Sequence, residues 1–235
     1  MNKFKKSLVA LAIGAAAVGS ASASVINVGG IQWDPDAVND FLVTGDFDQF
    51  FTPNNQNLGS ITSGYGSVQS INGALNYCTL GPNCKLTFVF DNYTIVDGAP
   101  FPIAFSGGTI KLYVDNDAAL DNSIAGSSDG ALWLDLAGNG TLLGGASLIV
   151  SNPFPFTAAQ GQGFLDVVGG PSGGFFDTNT LFGADFLFTT TDPLNNSTFG
   201  GSFTLSGDSV PEPGSLALLG AGLLCLVGLR RRRSA

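Results

Sequence analysis

The chain has 235 residues and no histidine. That excludes Ser-His-Asp and Cys-His catalysis, His-ligated zinc, and the one side chain whose ordinary titration lies near neutral pH. Seven of the nine basic residues lie in the two end segments, and between them seventeen aspartates face only Lys85 and Lys111, a net charge near −15 that repels nucleic acid and anionic lipid.

Lys3, Lys5 and Lys6 precede an apolar run from Leu8 to Val18, followed by Ala21-Ser22-Ala23. A basic start, a short apolar stretch and small side chains at alternate positions form the pattern that signal peptidase cuts. Residues 1–23 are therefore expected to be a signal peptide, with cleavage after Ala23 and with Ala21 and Ala23 in the peptidase pocket.

Residues 24–209 are expected to form one all-β ectodomain. Period-two alternation marks strands at Val25 to Val28, Ser67 to Ile71, Leu86 to Phe90, Tyr93 to Val96, Ile103 to Phe105 and Ile110 to Val114. Further strands are expected at Ala131 to Leu136, Leu142 to Val150, Gly163 to Val168, Ala184 to Thr190 and Ser202 to Ser206. Hairpin chemistry stands at Ser106-Gly107-Gly108 and at Ala137-Gly138-Asn139-Gly140, where glycine accepts positive φ. One helical turn is expected from Asp34, as the cap, through Pro35 to Phe41. Around Gly45 to Phe51 and Gly183 to Phe188 the sequence pairs Asp with Phe, which reads as buried rings beside wet carboxylates. Many short strands with Gly-rich turns imply an antiparallel β-sandwich or jelly roll; a parallel solenoid would need a fixed period, and none is present.

Cys78 and Cys84 flank Gly81-Pro82-Asn83 in a segment destined for an oxidising compartment, so a local disulfide is expected. The densest acidic stretch, Asp115 to Asn122, offers Asp115, Asp117 and Asp121 as oxygen ligands for Ca²⁺. It departs from the EF-hand loop at Ala119 and Leu120, and a solvated turn fits the same residues. The paired glycines at 144–145, 169–170 and 173–174 are not followed by lysine, so phosphate cradling has no support. Trp33, Trp133, Tyr65, Tyr77, Tyr93 and Tyr113 could stack on sugar rings, with core packing the default.

At the C-terminus Pro211-Glu212-Pro213 is followed by an apolar stretch, 215–229, and then by Arg230, Arg231, Arg232 and Arg233. The prolines hold the motif extended and accessible to an enzyme. Fifteen apolar residues make a marginal membrane span of about 22 Å as a helix, and Cys225 inside it has no partner. The four arginines are costly to translocate, which fixes the C-terminus in the cytoplasm and sends everything before Pro211 outward. Residues 210–235 resemble the PEP-CTERM sorting domain. That resemblance implies an exported bacterial protein, typically Gram-negative, recognised at Pro211, Glu212 and Pro213 by the membrane enzyme exosortase and passed from the inner membrane to the cell surface or matrix.

The function that follows is a non-catalytic structural component of biofilm, exopolysaccharide or flocs, with extracellular polysaccharide as the partner. A carbohydrate-binding module with a defined glycan is the second class. A glycoside hydrolase is third, since two aspartates at the right separation suffice for that chemistry.

Overall fold

The computed structural model describes residues 24–53, 57–97, 102–117, 122–151, 158–193 and 200–210. The signal segment with Ala21 and Ala23 lies outside the described residues. So do Asp121, the motif Pro211-Glu212-Pro213, the expected span 215–229 and the arginines 230–233.

A short hairpin of β1 (Ile26–Val28) and β2 (Ile31–Trp33) opens the fold. The long strands β3 (Phe41–Thr52), β4 (Ile61–Ile71), β5 (Lys85–Asp97) and β6 (Ile103–Asp115) then run as an antiparallel meander. They are followed by β7 (Ala131–Gly138), β8 (Leu148–Ser151), β9 (Ala158–Gly169), the one-turn helix α1 (Gly173–Phe176), β10 (Phe186–Pro193) and β11 (Gly200–Gly207). The last strand pairs back onto β3, Phe203 against Gly45 and Leu205 against Val43, while β10 pairs with β9. The sheet therefore closes as an eight-stranded antiparallel barrel in the order β10-β11-β3-β4-β5-β6-β7-β9. Strands β7 and β8 fill successive halves of one slot between β6 and β9: Thr109 faces Ala137 on β7, and Phe105 faces Leu148 on β8.

The expectation of an all-β antiparallel domain holds, but the sheet is a closed barrel and not a sandwich or jelly roll. Closure follows from local devices that periodicity does not reveal. Register shifts at Thr44/Gly45, Thr62/Gly64, Ile95/Asp97, Leu112/Tyr113 and Asp135/Leu136 each add a bulge, and bulges increase strand twist until the first and last strands meet. Ser106-Gly107-Gly108 is a kink inside β6 and not a hairpin. Asp91 pairs with Thr109 and Tyr93 with Gly107, so Asn92 (φ 62°) and Gly108 (φ 90°) are opposed extra residues that bend both strands together. The Tyr93 ring occupies the place of a Gly108 side chain.

Gly138-Asn139-Gly140 is likewise no hairpin. Asn139 donates from Nδ2 to Asp166 at 2.9 Å, and β8 begins only at Leu148. The expected helical turn at Asp34 is a pair of turns instead; Asp34 accepts from the Asp36 amide at 2.9 Å as a cap would, but no helix continues.

The lumen is paved by phenylalanine lying over glycine. Across neighbouring strands Gly64 faces Phe90, Gly66 faces Phe88, Gly45 faces Phe203, Gly207 faces Phe186 and Gly163 faces Phe188. Such small-large alternation fills the interior of a small barrel. Outward positions are mostly polar, among them Thr44, Asp46 and Asp48 on β3, Gln160 and Gln162 on β9, and Ser202, Thr204 and Ser206 on β11. This is the reverse of a barrel whose outer wall faces lipid. Among the described residues no helix is long and apolar enough to cross a membrane.

Candidate functional site

One end of the barrel is plugged by aromatic rings. Trp33 from β2 stacks on Phe176 of α1 with centroids 5.0 Å apart, meets Trp133 of β7 edge-on at 5.9 Å, and packs against Phe41 at 5.6 Å. Phe176 in turn meets Phe41 at 4.5 Å and Phe186 at 5.3 Å. Buried indole N–H groups need acceptors, and both find one: Trp133 donates to the Val28 carbonyl at 2.9 Å and Trp33 to the Ser209 hydroxyl at 3.1 Å. Ser209 is itself clamped, donating to Asp40 from its amide and from its hydroxyl, each at 2.6 Å. Val210 donates to the Phe175 carbonyl at 2.7 Å. The chain is thus tied to the barrel up to the residue before Pro211.

Cys78 and Cys84 are bonded to each other, with Cα atoms 5.7 Å apart. Their loop holds the plug. Cys78 bridges Ile31, the Gln32 amide donates to the Tyr77 carbonyl at 2.8 Å, and Thr79 donates to the Gly30 carbonyl from its amide at 2.8 Å and its hydroxyl at 3.0 Å.

The acidic stretch gathers two of its expected residues with one that the linear pattern did not point to. Asp115, Asp117 and Asp129 bring ligand oxygens within 4.8 Å of one another, Asp129 arriving from the turn after the short 3-10 segment Gly126–Ser128. Asp115 is buried and pairs with Lys85 at 3.2 Å, so a cation is already supplied to this carboxylate by the chain itself. Lys111 pairs with Asp135 at 3.4 Å. Each lysine stands directly opposite its aspartate in the ladder, where cross-strand charge pairs meet best.

At the end of the barrel away from the plug the lumen holds a cavity of about 110 Å³. Phe47, Phe90, Phe105 and Phe188 form its walls, with Ala159 and Val150 on one side. Gln49, Thr62, Tyr93, Thr190 and Asp192 are the polar residues of its lining. Gln49 donates from Nε2 to Asp192 at 3.0 Å, and burial pushes the Asp192 carboxyl above its ordinary pKa while that hydrogen bond pulls it partly back. Tyr93 is fully buried, its hydroxyl has no hydrogen-bond partner, and burial raises its pKa far above the tyrosine range.

The residues past this anchored end decide what handles the chain, for Val210 leads directly into Pro211-Glu212-Pro213. Residues 209–233 match the PEP-CTERM protein-sorting motif. The PEP-CTERM motif implies a protein that is exported, sorted at the membrane and processed by an exosortase. Its first matched residue is Ser209, the same side chain that receives the Trp33 indole and is clamped by Asp40. No curated protein and no solved structure matches the chain.

The aromatic residues considered as sugar platforms divide by position. Trp33, Trp133, Tyr77 and Tyr93 are buried in the core, while Tyr65 and Tyr113 are half-buried on the outer wall. The Asp-Phe segments also divide. Phe47 and Phe51 turn inward with Asp46 and Asp48 wet, but Asp185 is buried with its neighbours Phe186 and Phe188. It accepts three backbone amides: Val167 at 2.8 Å, Thr178 at 2.8 Å and Asn179 at 2.7 Å. Neither this role nor the Asp40 clamp nor the Tyr93 hydroxyl is signalled by sequence spacing, because each partner is remote in the chain or belongs to the backbone.

Proposed function

We propose that this chain is a non-catalytic structural protein of the cell surface or extracellular matrix, delivered there by exosortase and associated with exopolysaccharide or biofilm. The observation that carries the reading is the sorting motif at 209–233, joined without a linker to a closed, disulfide-tied barrel. A barrel has no free sheet edge, so such a domain resists edge-to-edge aggregation outside the cell. Its acidic outer wall gives solubility, and association with an acidic polysaccharide then runs through divalent bridges or neutral sugar contacts. Both tryptophans are committed to the plug, which favours this reading over a carbohydrate-binding module built on an indole platform.

Fractionation of the producing cell with intact-mass measurement tests it. The expected result is a chain that begins at Ser24, has lost the segment after the Pro-Glu-Pro motif, and is recovered from the surface or matrix. A Glu212→Ala chain is expected to accumulate in the inner membrane at higher mass. Full-length protein in the cytosol, with an uncut leader and reduced thiols, would overturn the reading.

A further inference from the structure

We infer that the barrel lumen is a binding site for one small uncharged molecule, a single ring or short chain bearing one oxygen that accepts a hydrogen bond from Tyr93. The inference is independent of where the protein is delivered.

An eight-stranded barrel has an interior just wide enough either to be filled by side chains or to hold one small ligand. This lumen does both, in different halves. Toward the plug, rings such as Phe88 and Phe203, with centroids 4.6 Å apart, bring opposite walls into contact. Toward the other end the inward positions shrink to Ala159, Gly161 and Thr190, and the cavity opens among the surrounding phenylalanines. Its volume is comparable to that of apolar protein cavities of about 150 Å³ that take up benzene, so a ring of six carbons sets the scale of the occupant.

The polar groups narrow the chemistry. A tyrosine hydroxyl buried without a partner gives up its hydrogen bonds to water and gains nothing in return. It is retained here on the wall of a cavity, and the Tyr93 ring is fixed flat over Gly108, so the hydroxyl cannot swing out to solvent without breaking the paired bulge of β5 and β6. An oxygen-bearing ligand supplies the missing acceptor. Charge is disfavoured on both sides. Both described lysines stand in ion pairs across the outer wall, and the carboxyl that lines the cavity is Asp192, which repels an anionic head. Asp192 is already engaged by Gln49, which reduces its draw on a cationic one.

Benzyl alcohol, toluene, benzoate and benzylammonium share one ring and differ in the group attached, and calorimetric titration of each into the purified exported protein at neutral pH tests the assignment. Benzyl alcohol is expected to bind at least tenfold more tightly than benzoate or benzylammonium. Tyr93→Phe is expected to weaken benzyl alcohol about five- to tenfold, the worth of one hydrogen bond, while changing toluene less than twofold. The same substitution leaves thermal stability equal or higher, because it removes a polar atom that lacks a partner. Ala159→Leu, which fills the cavity from β9, is expected to abolish binding of both uncharged probes, and it serves if the Tyr93 variant does not fold. Three results would each overturn the inference: no probe binding below 10 mM (on the order of the weakest specific affinities), a charged probe binding as tightly as benzyl alcohol, or uncharged binding that survives Ala159→Leu. Equal loss of toluene and benzyl alcohol in Tyr93→Phe would do the same.

Discussion

Phe90 stands directly opposite Gly64 across the β4–β5 ladder, and its ring covers the space that a side chain at Gly64 would need. The same holds one pair along, where Phe88 covers Gly66. A methyl group at either glycine would also strike a β3 carbonyl oxygen, that of Asp48 or Asp46. Backbone in a closed barrel cannot retreat without moving the next strand. Gly64→Ala and Gly66→Ala are therefore each expected to cost about 3 kcal/mol, the upper end of overpacking penalties. Gly174→Ala, in α1 with open space around it, is expected to be neutral or stabilising by up to about 1 kcal/mol. Urea denaturation of the three variants checks the contrast; equal midpoints would show that the Gly-Phe pairs do not hold the barrel.

Asp185 offers a second test, because its two oxygens take three backbone amides, those of Val167, Thr178 and Asn179, of which Thr178 also donates to the Phe176 carbonyl. Asp185→Asn keeps size and shape but turns one acceptor into a donor facing N–H groups. Leaving buried amides unpaired and setting donor against donor is expected to cost about 3 kcal/mol. Amide exchange is expected to accelerate first at Val167, Thr178 and Asn179. A variant as stable as the parent would mean that the carboxylate is dispensable.

The strands were legible because alternation writes one face of a strand into the sequence: Leu86, Phe88 and Phe90 all face the lumen. The disulfide and the sorting motif were legible because they are local. What alternation could not show is the partner of each face. A half-buried strand in a sandwich and one in a barrel carry the same pattern, and here the difference rests on Phe203 meeting Gly45, residues far apart in sequence. Around β3 the reading of buried rings beside wet carboxylates holds for Phe47 and Phe51 with Asp46 and Asp48, but it names no strand, because Asp-Phe pairing alone does not say which strands flank it. Gly107-Gly108 misled because glycine reports positive φ, and a bulge needs it as much as a turn does. The acidic trio closes through Asp129, which only the return of the chain at the end of β6 brings beside Asp115.

Asp192 gives the protein a pH dependence of definite sign. Burial raises its folded pKa above the unfolded value, with the Gln49 hydrogen bond offsetting part of the rise. A carboxyl shifted upward favours the folded state most when it is protonated. Its contribution is thus present below the unfolded pKa, near 3.8, and lost as pH rises through the folded value. Asp192→Asn still offers Gln49 an acceptor and does not titrate. The variant is expected to match the parent in urea midpoint at pH 3.5 or below and to exceed it at pH 7. A difference that stays constant across that range would contradict the assignment.

Reduction of the disulfide is expected to be felt at the tryptophans before the barrel unfolds. The Cys78–Cys84 loop supplies the Thr79 donors to Gly30 and the bridge to Ile31, and these hold β2, which carries Trp33. Trp133 depends on the same hairpin, since its indole donates to Val28 of β1. The chain has two tryptophans and both are in the plug, so intrinsic fluorescence reports on this end alone. Closing so short a loop stabilises the fold by about 2 kcal/mol in the chain-entropy model. Cys78→Ala/Cys84→Ala is therefore expected to lower the global urea midpoint modestly. In the same variant, tryptophan emission is expected to shift to the red at urea concentrations where the far-ultraviolet strand signal is intact. The order of events follows from connectivity. Hairpin β1–β2 is no part of the eight-stranded ring and is held by its rings, by Thr79 and by the indole bonds, whereas every barrel strand is paired on both edges. Coincident loss of the two signals in the reduced protein would show that plug and barrel unfold as one unit, and the loop would then have no separate role in holding the plug.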